Sequence, residues 1–194
     1  MTRFSDCSVD ADIVDQARLG DTAANETVYR IFASPVYNLA LRLTRQPAVA
    51  EEILQDTFME VLTKIGAFRN AAPLGFWIRE IAVNKCLMHL RSGWHRNSRP
   101  LADIEPHHGD NIVLAANPEH MDLEKALASL APISRTVVWL HDVEGYTHAE
   151  IGNLMSKSSS FSKSRLARAH QRLQDLLEDS NECEQPCMQL SNNY

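Results

Sequence analysis

Helical periodicity is the feature that most constrains this chain. Apolar residues recur at steps of three and four along most of its length, and strand-like alternation is hard to find. Only 7 of the 194 residues are glycine. Such spacing gives each helix one stripe to bury and leaves the opposite stripe in water. It predicts an all-α protein. The 44 % apolar content supplies enough side chains for folded cores rather than disorder.

Stripes and punctuation place the elements. A first helix is expected over about Asp10 to Leu19, closed by Gly20. A long helix follows from about Thr22 to Arg45, its stripe built from Val28, Ile31, Phe32, Val36, Leu39, Ala40 and Leu43. Pro35 is the point where it can bend, because proline lacks an N–H and its ring crowds the preceding turn. Pro47 suits the first turn of a third helix. There Ile53, Leu54, Phe58, Val61, Leu62 and Ile65 form an apolar stripe opposite Glu52, Gln55, Asp56 and Glu60. A loop from Phe68 to Gly75 leads to a fourth helix, about Phe76 to Trp94, with Ile78, Ile81, Ala82, Leu87, Met88 and Leu90 inward.

The pattern dissolves between about 97 and 118, where Pro100, Pro106, Pro118 and a His107-His108-Gly109-Asp110 run interrupt it. It resumes with Leu123, Leu127 and Leu130, then a helix from Pro132 to about Val143 ended by Gly145. Thr147 and Glu150 have capping-box spacing and mark a new helix start. A turn at Ser156-Lys157-Ser158 precedes a last long helix striped by Leu166, Ala169, Leu173, Leu176 and Leu177. Two helical domains joined by a flexible linker are therefore expected: residues 1–96, a linker at 97–118, a second domain at 119–179 and a polar tail at 180–194.

Charge is distributed unevenly. The net charge of −6 argues against nucleic-acid binding taken alone. Yet residues 64–99 carry seven lysines and arginines against Glu80 only, and residues 156–173 carry five with no acid. Residues 47–63 hold four acids and no base. Two basic blocks and one acidic block predict two polyanion-facing surfaces and a third surface for a different partner.

The last two helices have the layout of a helix-turn-helix DNA binder: a short helix, a three-residue turn and a basic second helix. On that second helix the leucines point inward, while Ser160, Lys163, Ser164, Arg168 and Arg172 fall on or near the opposite face. Serine hydroxyls can bond base edges or phosphates, and the cations neutralise phosphates.

These residues carry a family resemblance. Glu144-Gly-Tyr-Thr-His-Ala-Glu-Ile151 with Lys163-Ser-Arg-Leu-Ala-Arg168 resembles region 4 of the extracytoplasmic-function (ECF) branch of the sigma-70 superfamily. Val49-Ala-Glu-Glu-Ile-Leu-Gln-Asp-Thr-Phe58 resembles the segment by which such factors grip RNA polymerase. Phe76-Trp-Ile-Arg-Glu-Ile-Ala-Val-Asn-Lys85 resembles their promoter-melting segment. The three blocks stand in the family's order, and the resemblance spans about residues 10–96 and 119–178.

The resemblance implies a transcription-initiation factor that binds core RNA polymerase through its β′ and β subunits and recognises promoter DNA. Glu52, Gln55 and Asp56 would meet the β′ clamp helices. The Phe68–Phe76 loop, with Phe76, Trp77 and Asn84, would capture an unstacked −10 base, although the residues themselves read Phe76 and Trp77 first as core anchors rather than base platforms. Arg79, Lys85 and Arg91 would follow the backbone. Ser160, Lys163, Ser164, Arg168 and Arg172 would read the −35 duplex. An anti-sigma protein is an expected regulator. The chain departs from the family at the turn, where Ser156 and Lys157 replace the usual Gly and aliphatic residue. Ser159 and Ser162 stand in place of two valines. The recognition helix should then pack less firmly unless Phe161 fills the gap.

Other classes are disfavoured. No nucleophile–base–acid set, phosphate-cradling glycine loop or HExxH pattern is present, so no catalysis is expected. A freestanding helix-turn-helix regulator would explain the last helices but leave the acidic third helix without a role. No apolar run approaches the ~20 residues of a membrane span, and the acidic N-terminus does not resemble a signal peptide. A cytoplasmic protein without membrane insertion is expected. Cys183 and Cys187 on the polar tail invite a metal or redox reading, with His107 and His108 as further ligands. The spacing is not a strong zinc pattern, so neither a metal nor a cofactor is expected.

Overall fold

The computed structural model describes residues 4–96 and 118–182. Among them are eight α-helices and no strand: α1 (Ala11–Arg18), α2 (Thr22–Thr44), α3 (Pro47–Lys64), α4 (Leu74–Arg96), α5 (Pro118–Ser129), α6 (Pro132–Val138), α7 (His148–Met155) and α8 (Ser159–Glu182). The chain divides into two compact units, Met1–Pro100 and Leu101–Tyr194.

In the first unit α2, α3 and α4 pack pairwise and α1 lies against α2. Val28, Phe32, Val36 and Leu43 of α2 meet a core shared with Ile53, Phe58 and Val61 of α3 and Ile78, Ala82 and Val83 of α4. Local chemistry sets the helix ends. The Asp21 side chain accepts the Ala24 N–H at 2.8 Å and caps α2. Arg45 ends the same helix in a left-handed conformation, φ 58°. Pro35 does not break α2, which runs through it as one continuous helix with the ring buried. Its missing N–H leaves the Ile31 carbonyl, one turn back, without its helical donor. The Cys7 thiol donates to that carbonyl at 3.8 Å.

Two apolar residues expected inward are outside. Leu62 is 43 % exposed and Met88 is 63 % exposed. Each sits at the edge of its stripe, where a helix packed between two neighbours runs out of partners.

In the second unit α5, α6 and α7 each pack on α8. Leu130, Val137, Leu140, Tyr146, Ile151, Leu166 and Ala169 form the core. Arg135 is buried and donates to the Ala128 and Leu130 carbonyls, both at 3.4 Å, at the end of α5. The helix expected through Val143 is α-helical only to Val138; Trp139–Val143 forms a π turn. There the Glu144 N–H reaches five residues back to the Trp139 carbonyl at 3.1 Å. At the other end, α8 continues to Glu182, beyond the expected start of the polar tail.

Candidate functional site

The acidic face lies on α3. Glu52, Gln55 and Asp56 are all exposed and lie one helical turn apart or less, so they share a face. Met59, 68 % exposed, continues that face one turn further, and Leu62 extends it again. An acidic patch grading into an apolar one is suited to a protein surface and unsuited to a phosphate backbone. Sequence reasoning places Leu62 on the inward stripe and does not single out Met59.

Glu60 does not belong to this face. Its carboxylate holds Lys64 at 2.6 Å and Lys85 at 2.8 Å. Hydrogen bonds from Lys64 and Lys85 keep its pKa below the usual carboxylate range. Lys85, expected along the DNA backbone, is thus joined to α3 by an ion pair.

The loop before α4 is anchored at both ends. Phe68 is buried, and its ring packs 5.2 Å from that of half-buried Trp77. Asn70 turns the chain with φ 52°. Gly75 is buried against the Phe32 ring. Phe76 points outward, 43 % exposed, with the Arg79 guanidinium 4.7 Å from its ring centre. The two aromatic candidates therefore divide: Trp77 leans on the loop's buried anchor and Phe76 presents a ring to solvent. Asn84 is exposed on α4, and Arg91 is half-buried.

The second unit contains the helix-turn-helix. Thr147 and Glu150 form the expected capping box, with the Thr147 N–H donating to Glu150 Oε2 at 2.7 Å and the Glu150 N–H to Thr147 Oγ1 at 3.3 Å. Gly152 lets the turn fold back tightly: a Cβ there would lie 2.9 Å from the Lys157 carbonyl oxygen. Ser158 caps α8 by accepting the Phe161 N–H at 3.2 Å. On α8, Ser160, Lys163, Ser164, Arg168 and Arg172 are all exposed at helical spacing, so the structure brings the five together on one stripe. Ala167 and Gln171 share that stripe and were not singled out from sequence.

Both departures at the turn have structural answers. Ser156 adopts φ 55°, the conformation glycine favours. A side chain there costs about 1 kcal/mol or more, partly offset by glycine's larger unfolded entropy. Ser156→Gly is expected to stabilise this unit by about 0.5–1 kcal/mol; an unchanged or lowered melting temperature would count against the strain. Ser162, rather than Phe161, fills the position expected to need a valine. It is fully buried, and its hydroxyl lies 3.1 Å from His148 Nδ1. Phe161 is half-buried, with the Arg165 guanidinium 5.5 Å from its ring centre.

His148 belongs to a wider polar cluster. Its ring stacks on His141 at 4.4 Å, and Asp142 bonds His141 at 2.8 Å and His170 at 2.7 Å. Burial first, then the charges of His141 and Lys163, hold His148 below the ordinary imidazole range, with Asp142 opposing. Unfolding releases His148 to bind a proton more readily, so this unit should lose stability as pH falls through that range, near about 6.5. Burial alone would raise the Asp142 pKa, but the bonds from His170 and His141 take it lower. Asp142 therefore adds a loss of the same sign in stronger acid. Thermal melts across this range should show a slope that shrinks in His148→Gln. Equal slopes in both proteins would remove His148 from the account.

Cys86 is buried, and burial pushes its thiol up to about 12, which makes it inert. Among the described residues no helix is long and apolar enough to cross a membrane, and no cluster of His, Cys, Asp or Glu is placed to hold a metal ion. His107, His108, Cys183 and Cys187 lie outside the described residues.

One helical unit carries an acid-bearing helix beside an aromatic loop, and the other a helix-turn-helix whose second helix presents an exposed basic stripe. Residues 28–96 match the Sigma-70 region 2 family and residues 120–173 match Sigma-70, region 4. The chain is 29 % identical to the ECF RNA polymerase sigma factor SigM of Mycobacterium tuberculosis (strain ATCC 25618 / H37Rv), over 87 % of this chain and 84 % of that protein. It is 30 % identical to the RNA polymerase sigma factor CarQ of Myxococcus xanthus, over 84 % of this chain and 95 % of CarQ. Its fold is similar to that of the sigma factor RpoE from Bartonella quintana, solved with the anti-sigma factor NepR. That likeness has a TM-score of 0.55 and 22 % identity, covering 79 % of this chain and 96 % of RpoE. The chain belongs to the ECF branch of the sigma-70 family. It is an RNA polymerase sigma factor, which binds core polymerase and directs promoter recognition and transcription initiation.

Proposed function

We propose that the two units divide this work between distinct faces. Glu52, Gln55 and Asp56 on α3 dock on the β′ subunit of core polymerase, and Met59 and Leu62 extend the contact. Phe76 and Asn84 hold an unstacked −10 base, with Trp77 setting the loop's anchor. Arg79, Arg91 and Lys85 lend positive potential along the strand, the share of Lys85 being reduced by its ion pair with Glu60. Ser160, Lys163, Ser164, Arg168 and Arg172 read the −35 duplex. The supporting observation is the α8 stripe, where all five side chains stand exposed on one face opposite buried Leu166, Ala169 and Leu173.

In this reading residues 1–96 and 119–179 are the working domains, 97–118 a linker and 180–194 a tail. The protein carries out no chemistry of its own and acts in the cytoplasm, where polymerase and promoter are. An anti-sigma protein, of the kind bound to RpoE, is a further proposed partner. Reconstitution with core polymerase tests the whole: promoter-specific transcripts should appear without any other sigma factor. Specific DNA binding without such transcripts would favour a freestanding regulator instead.

A further inference from the structure

The base-capture loop stands on a floor supplied by the extreme N-terminal segment. Phe4 opens a short 3₁₀ turn, Phe4–Asp6, that packs against α4. Its side chain is buried and its ring stacks on Phe32, 6.4 Å between centres. Directly above lies Gly75. A Cβ on Gly75 would come within 2.9 Å of the Phe32 ring and 3.3 Å of the Phe4 carbonyl oxygen. The first turn of α4 thus rests on Phe32 and on the backbone of Phe4 with no side chain between. Phe76, the next residue, is projected outward from that turn.

The segment is fastened to α2 twice in succession. Phe4 takes the Phe32 ring, and the Cys7 thiol takes the Ile31 carbonyl that Pro35 leaves without a helical donor. Phe68 and Trp77 secure the loop's other side. The loop therefore has two supports, one internal to its own sequence and one brought from about seventy residues away by the chain's first turn.

We propose that Phe4 is a positioning residue for promoter melting. It fixes the height and tilt of the first turn of α4, and through it the orientation of Phe76 toward the captured −10 base. This rests on the assignment of the Phe68–Phe76 loop to base capture. It predicts that loss of Phe4 impairs opening of the duplex more than it impairs docking on polymerase, because the acidic face lies on α3, away from this floor.

The test uses the full chain with core polymerase and follows strand opening with a fluorescent adenine analogue in the −10 element. Phe4→Ala should lower the opening rate roughly tenfold, with core affinity within about twofold. Transcription from a pre-opened bubble should also stay within about twofold, since the melting step is bypassed. Phe4→Leu, which refills the floor, should recover most of the rate. The proposal is overturned if Phe4→Ala opens the duplex at the wild-type rate. It is equally overturned if duplex opening, bubble transcription and core binding fall together, which marks general unfolding. Phe76→Ala and Asn84→Ala separate the two levels: if neither slows opening, the loop assignment itself is wrong, whatever Phe4→Ala does.

Discussion

Reversing charge at Glu52 and Asp56 together, Glu52→Lys with Asp56→Lys, is expected to weaken association with core polymerase by about 3 kcal/mol, roughly a hundredfold. Both side chains are exposed, so the fold should survive; substitutions at such positions usually change stability by less than about 0.5 kcal/mol. The effect comes from replacing attraction by repulsion across an interface, which costs more than deleting the acids. It should shrink as salt rises, because exposed charges are screened. Asp12→Lys with Asp15→Lys makes the same change of net charge at two exposed positions of α1 and should change core binding little. A titration of labelled protein with core polymerase measures all three. Similar losses in both double variants would mean that net charge, not the α3 face, governs binding.

The second large effect is structural. Gly152→Val should unfold the second unit or leave it without DNA binding. A Cβ at this position meets the Lys157 carbonyl oxygen at 2.9 Å, the Ser158 carbonyl carbon at 3.0 Å and the Ser159 nitrogen at 3.1 Å. All three are backbone atoms, so no change of rotamer relieves the clash. The turn between α7 and α8 would have to move, and α8 carries the recognition stripe. Overpacking of this kind costs about 1–3 kcal/mol for small additions, and valine adds more than one methyl. A unit of this size has little stability to spare. Calorimetry should show the second unit's transition lost, while core binding through the first unit persists. A variant that melts like the wild type would show that the turn is not held by this close approach.

Elements whose cause is local were readable in the sequence. Pro47 and Gly145 mark their helix ends through backbone rules that act over a few residues. The Thr147–Glu150 box was recognisable from spacing alone and is fully formed. The α8 stripe followed from a period of 3.6 residues, and the residues read from it stand exposed together.

What the sequence hid depends on neighbours distant along the chain. Leu62 and Met88 fit their apolar stripes, and only the packing of adjacent helices shows that no partner covers them. The Glu60–Lys85 ion pair joins two helices that sequence treats separately. Ser162 reads as a lost core valine until His148, fourteen residues earlier, is seen to meet its hydroxyl. The π turn at Trp139–Val143 leaves no periodic signature in so short a span. Phe4 stands in a short turn before α1 with no helical stripe around it, so its burial against Phe32 could not be anticipated.

Site-specific photo-cross-linking in the assembled promoter complex tests the division of faces most directly. With a photoreactive residue at Gln55, the product should contain the β′ subunit and no DNA. With the same residue at Ser164, the product should contain DNA of the −35 element. DNA captured from position 55, or only polymerase captured from position 164, would contradict the account.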